Sequence, residues 1–366
     1  MELTFGTICL GSLFFLAIFL AYVIATGSAS LRTYLITRLF LTIPTVWILV
    51  TLVFIIMRLI PGDPITATIK PGENPERIAE LQARVGVDKP IHEQYINYIG
   101  DILTGDFGRS ITVEPDRPVI DIIARRLPAT LELVVPAILI MLIFGVASGA
   151  FAAKHHKGIA DYSFRIAGIV FYSIPIFWMG LMLQLFFGVV LNGLLPTAKR
   201  KSGYIQFDTH TDFFLIDTLI EGNFDAFLNV VSHMILPTIT LSLALIGVFI
   251  RLTRSNMIEI LQEDFVTAAH ARGIPENRVV YRHALRNSFI PIMTLIGLQI
   301  AVLLGGAVLT ETTFSWPGMG LLLRDGIANR DYIVVQGGVT VFALIVGITS
   351  TITDIIYAFI DPRIRY

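Results

Sequence analysis

The chain has 366 residues, 54% of them hydrophobic and 15% charged, and its mean hydropathy is positive. Soluble domains carry about 25% charged residues, so this composition belongs to a membrane protein. A balance of 27 Lys+Arg against 28 Asp+Glu gives no signal for nucleic acid, and the single cysteine, Cys9, excludes an internal disulfide framework, thiolate metal site or CxxC redox pair.

Crossing roughly 30 Å of hydrocarbon takes about 20 mainly apolar residues. Seven stretches qualify: Thr7–Thr26, Leu35–Met57, Leu131–Ala153, Tyr162–Leu191, Val230–Ile250, Ile290–Thr310 and Ile333–Ile360. The first lacks a basic n-region, and its end, ATGSAS, loosely resembles a cleavage site. It is read as a retained helix, because a cleaved signal would invert the charge pattern of everything downstream. The fourth and seventh exceed one crossing and are expected to tilt or to include interfacial turns. Pro44, Pro136, Pro175 and Pro237 interrupt the runs. Bundles tolerate them because neighbouring helices or water satisfy the freed carbonyls.

After the second run, Pro61–Thr130 reads as a folded extramembrane segment. PERIAELQARVG places Ile78, Leu81 and Val85 at helical spacing, and IHEQYINYIGDIL does the same for Ile91, Tyr95, Ile99 and Ile102. Short basic segments set the orientation. Arg32 and Arg38, the turn AKHHKGIADYSFR, the arginines between Arg251 and Arg286, and Arg363 and Arg365 share one side when the runs alternate. That side, with the C-terminus, is cytoplasmic by the positive-inside rule.

Polar groups inside the runs are costly, so each one there needs a partner or a role. Asp354 is the only acid deep in a run; it lines a pathway, pairs with a partner helix or reaches solvent at the helix end. Gln299 and Gln184 face a pore or bond between helices. Tyr172, Phe177 and Trp178 form a constriction or pack as anchors. Glu132 is read as interfacial. Gly145 and Gly149 form a small-xxx-small face for close helix packing. The seven histidines show no ligand spacing, so no metal site is expected.

The polar block from Asp264 to Pro291 lies between the fifth and sixth runs. Glu263 and Asp264 start a short helix and Arg272 ends it, in accord with the helix dipole. Gly273 is a C-terminal stop followed by Pro275. Ala268 and Ala269 flatten part of this helix, so another protein can approach its backbone. ENRVVYRHALRNS is expected to form a second helix with Arg278, Arg282 and Arg286 on one stripe. A rigid helix–Gly–helix hairpin joined to two spans can carry a push from a cytoplasmic partner into the membrane. The rival reading is a solvated loop with its arginines among headgroups.

TAAHARG followed by a basic helix resembles the cytoplasmic coupling loop of ABC-importer permeases, whose signature is Glu-Ala-Ala, three residues, then Gly. Thr267, Ala268, Ala269 and Gly273 occupy those positions, with Thr267 where the family has Glu and Ile290-Pro291 nearest to its Leu-Pro. Further stretches resemble the dipeptide/oligopeptide and nickel branch: RLIPGDP, GDFGRS, RLPATLEL, SIPIFWMG, GGAVLTETTFSWPGMG, RDYIVVQG and DPRIRY. They occur in order across residues 32–366.

The resemblance implies an all-α polytopic membrane protein with the type I ABC importer permease fold, six core transmembrane helices plus an extra N-terminal helix. Residues 1–30 would be the extra helix, 31–60 the first core helix, 61–130 an extracytoplasmic domain and 131–366 the core permease, with a coupling loop at about 255–290. It implies half of a translocation pathway in the cytoplasmic (inner) membrane, paired with a second homologous permease. Two ABC ATPase subunits would bind Mg and ATP, and an extracytoplasmic binding protein would deliver di- or oligopeptides; nickel or another small solute is the alternative cargo. The chain itself contains no G-x-x-x-x-G-K-[ST] phosphate loop and is read as neither an enzyme nor a cofactor carrier. Coupling falls on Glu263, Asp264, Thr267, Ala268, Ala269, Arg272 and Gly273. Pathway or gate roles fall on Tyr172, Phe177, Trp178, Gln299, Glu311, Trp316 and Asp354. An ion-coupled secondary transporter would need more intramembrane acids than Asp354.

Overall fold

The computed structural model describes residues 29–59 and 89–360. The first apolar run, Cys9, the PERIAELQARVG stretch, most of RLIPGDP and DPRIRY lie outside the described residues. Among those described, regular structure is helical, apart from one isolated bridge between Arg109 and Pro118.

In chain order the helices are α1 (Ala29–Leu59), α2 (Ile91–Thr104), α3 (Val119–Lys154), α4 (Ile159–Ser173), α5 (Ile176–Leu185), α6 (Phe214–Ile220), α7 (Phe224–Ile260), α8 (Asp264–Ala271), α9 (Glu276–Arg278), α10 (Leu285–Phe314), α11 (Met319–Ala328) and α12 (Tyr332–Ile360). Wider π turns extend α5 over Phe186–Val190 and join α9 to α10 over Val279–Ala284. Four of the described helices are long and apolar enough to cross a membrane: Leu35–Leu59, Val119–Lys154, Phe224–Ile260 and Tyr332–Thr353. Two bent pairs raise the number to six if each crosses once.

The fourth run is one of these pairs, broken by a 102° bend between Ile159–Ser173 and Ile176–Val190. Pro175 has no N–H to continue α4, and its ring drives Ile174 out of the helical region, to φ -80 and ψ 127. Pro44, Pro136 and Pro237 sit inside continuous helices instead. α3 and α7 also run past the apolar stretches that announced them. Their polar ends continue the same helices without breaking the backbone ladder.

α3, α7 and α10 build the centre, with Met141, Phe249 and Ala307 fully buried among Val134, Leu241 and Leu304. Lipid tails are as apolar as these side chains, so helix association rests on close packing. The glycines show how close. A Cβ on Gly145 would lie 2.7 Å from Phe249 Cβ, and one on Gly149 would lie 2.8 Å from the Ile250 carbonyl oxygen. The small-xxx-small face is the α3–α7 seam.

α2 packs across α1 and α12. The Tyr98 hydroxyl meets Thr340 Oγ1 at 2.7 Å, and the Tyr95 ring stands edge-on to Phe54 with centroids 5.1 Å apart. Tyr98 is the buried residue of this helix, while Ile91, expected on the packed face, is exposed. Ile91 is the first helical residue, one turn short of the contact with α1.

Candidate functional site

The polar block folds as a short helix and then a second segment of a different kind. Glu263 is the extended cap of α8 and Asp264 fills its first turn, placing acids at the positive end of the helix dipole. Gly273 closes α8 in the left-handed region at φ +73, its N–H donating to the His270 carbonyl at 2.9 Å. An L side chain is strained there, so glycine is the stop residue. Val266 and Ala269 turn inward onto Val279, between Leu261 and Ile274. Glu263, Asp264, Thr267, Ala268 and Arg272 remain exposed. Of the two alanines, only Ala268 flattens the outward face.

The second segment is three residues of α9 followed by the π turn into α10. Arg278, Arg282 and Arg286, spaced four residues apart across this wider turn, are all exposed. Val280 and Ala284 pack on Met257 of α7 and on Ala150 and Ala153 of α3. Lys154 Nζ also donates to Asn277 Oδ1 at 2.6 Å. Packed side chains therefore connect α8, through the π turn, to α3, α7 and α10.

At the opposite end of the bundle, Glu311 and Trp316 are fully buried. Glu311 accepts from Thr130 Oγ1 at 2.6 Å and from the N–H groups of Gly320 at 2.7 Å and Leu321 at 3.1 Å. It satisfies the open N-terminus of α11. A Cβ on Gly318 would fall 2.3 Å from its carboxylate, so the turn needs a glycine there. Trp316 donates from Nε1 to the Ala129 carbonyl at 2.9 Å. Both residues tie α10 and α11 to α3; neither faces an opening in the single chain.

Tyr172, Phe177 and Trp178 lie on the surface on either side of the break at Pro175. Gln299 is buried in α10. Gln184 donates from Nε2 to the carbonyls of Thr197 and Thr313, at 2.7 and 3.0 Å. The Asp354 side chain lies outside the described ones.

Arg200, Asp161, Asp217 and Asp331 are buried charged residues that the sequence reading did not single out. Glu132, expected at an interface, is 5% exposed and accepts from Arg200 Nε and a terminal nitrogen at 2.9 and 2.6 Å. The Arg200 guanidinium stacks on Phe214 and donates to the Asp212 carbonyl, which fastens loop 191–213 over α3. Burial draws the Arg200 pKa below its usual value, and Glu132 opposes that. Asp161 pairs with Arg254 and joins the start of α4 to α7.

Asp331, fully buried, caps α12 through Val334 N–H at 3.2 Å. Its other oxygen accepts from Ser110 Oγ at 2.7 Å and from the N–H groups of Ile111, Thr112 and Val113 at 2.9, 2.8 and 3.1 Å. Beside this turn, Glu114 accepts from Arg117 and Arg125. Partial burial works against its charge, but the two arginines hold its carboxyl below the usual range.

The chain matches two family descriptions: Binding-protein-dependent transport system inner membrane component over residues 142–366, and the N-terminal membrane component of the same systems over 31–134. It is 42% identical over 332 residues to a di/tripeptide transport system permease protein of Pseudomonas aeruginosa, covering 90% of this chain and 97% of that one. A dipeptide transport system permease protein of Escherichia coli is 41% identical over 337 residues, 91% of this chain and 98% of its own. An oligopeptide transport system permease protein of Bacillus subtilis is 34% identical over 336 residues, 92% and 100%. With its long apolar helices and a glycine-stopped α8 packed on the π turn that leads into one of them, the chain belongs to the family of binding-protein-dependent transport system inner membrane components.

Proposed function

We propose that this chain is one half of the translocation pathway of an ATP-driven importer for di- and oligopeptides, with α8 as the lever on which an ATPase subunit pulls. The observation that carries this is α8 itself. Its small, charged outward face is free, while its inward face is packed through Val279 and Val280 into the bundle. In this reading a second homologous permease completes the pathway, and two ATPase chains bind ATP and Mg. A binding protein docks at the α11 end, and α8 and the C-terminus are cytoplasmic. Residues 31–60 and 131–366 form the six-span core of a type I importer permease, 61–130 its extracytoplasmic domain and 1–30 an added helix. The peptide cargo rests on what the relatives are named for. Phe177 and Trp178 face the second permease beside the break, and Glu311 and Trp316 hold the outer turn in place.

Replacing Gly273 by Pro removes the N–H donated to His270 and forces φ to about -65°, against the observed +73. The variant is expected to insert and to co-purify with the second permease while ATP-dependent uptake of a labelled dipeptide is lost. Normal uptake by this variant would refute the lever. Uptake of nickel, unaffected by excess dipeptide, would leave the lever standing and replace the cargo.

A further inference from the structure

We propose that the cavity between α4 and α7, at the α8 end of the bundle, binds the phosphate headgroup of an anionic phospholipid. The cavity measures about 310 Å³, within the range of small-ligand sites, roughly 300–1,000 Å³. It exists because two backbones meet: a Cβ on Gly247 would lie 2.2 Å from the Gly168 carbonyl oxygen. The helices touch there and diverge, leaving a cleft walled by Ile169, Val248 and Ile250.

Arg165 from α4 and Arg251 from α7 stand at this cleft, both exposed. Among the described residues neither has a carboxylate within 4.0 Å; Arg165 has only the Tyr162 ring, 5.6 Å away. A third guanidinium, Arg254, is already engaged by Asp161. Two uncompensated guanidiniums beside an apolar wall complement a ligand that is anionic at one end and apolar at the other. Guanidinium forks match phosphate oxygens in two-point contacts, and basic pockets between membrane helices take acidic headgroups. The neighbouring outward face of α4, Ile166 and Val170, is exposed and apolar, as acyl chains require. A soluble anion would use the charges and leave the wall unused.

Native mass spectrometry of the full-length protein, with phosphatidylglycerol or phosphatidylcholine added, tests the site. The wild type is expected to retain phosphatidylglycerol in preference. Each basic residue near an anionic headgroup is worth about a fivefold change in affinity, so R165Q or R251Q alone loses about fivefold and the double variant about 30-fold. Arg254 stays intact, and the single variants carry the test if the double one does not fold. Unchanged phosphatidylglycerol binding by the variants overturns the site. Displacement of the lipid by equimolar inorganic phosphate or free dipeptide overturns the lipid assignment. The assay reads binding, so it stands apart from the identity of the transported cargo.

Discussion

Replacing Asp331 by Asn tests how the turn at residues 110–113 is held to the membrane bundle. In the native protein one carboxylate oxygen receives Ser110 Oγ and the N–H groups of Ile111, Thr112 and Val113, and the other receives Val334 N–H. Asparagine keeps one oxygen and loses the charge. With that oxygen facing residues 110–113, its amide opposes Val334 N–H; rotated the other way, four donors face an N–H₂ group. A hydrogen bond to a charged acceptor exceeds a neutral one by about 1 kcal/mol. Four weakened donors, discounted for those partly reached by water, amount to roughly 3 kcal/mol of local stability. Local opening would then rise about 100-fold. Hydrogen exchange of residues 107–118 in lipid nanodiscs reads this directly, with Asp325→Asn, a partly exposed acid paired with its neighbour Arg324, as control. Exchange within about threefold of wild type in Asp331→Asn would refute the anchoring argument.

Gly247→Ala forces a methyl against the Gly168 carbonyl, 2.2 Å from its oxygen, so α4 and α7 must separate. The expected cost is about 1–3 kcal/mol, seen as a lower melting temperature by fluorescence-detected size exclusion; an unchanged melting point would contradict the seam. Arg200→Ala leaves the buried Glu132 carboxylate without its cation and should cost about 3–5 kcal/mol, with part recovered when Glu132→Gln is added. Equal stability of the single and double variants would remove the pair from the account. The Glu114 carboxyl is held below its usual range by Arg125 and Arg117 against the effect of burial. A depressed folded pKa adds stability above the unfolded carboxyl range that is lost as pH falls through the folded value. Limited proteolysis at residues 109–118 should therefore quicken below about pH 4.5, and Glu114→Gln should abolish that dependence.

The lengths of the apolar runs identified every described span, because a backbone in hydrocarbon has to bond within its own segment. The stop of α8 was equally legible, since a left-handed residue before Pro275 calls for glycine. Local rules also made the misses. α-Helical periodicity did not foresee the π turn over Val279–Ala284, and treating the four prolines alike did not show that Pro175 breaks its helix while Pro44, Pro136 and Pro237 sit inside theirs.

Composition, run length and local motif by themselves determined that this chain crosses a membrane many times and presents a glycine-stopped helix followed by a basic segment between two spans. Only the folded molecule decided which polar side chains are hidden and what they hold. Asp331 reaches Ser110 across 221 residues and Arg200 reaches Glu132 across 68. A periodicity argument sees three or four positions along one helix. The cost of burying an unpaired charge acts over the whole fold and selects partners that no local pattern announces.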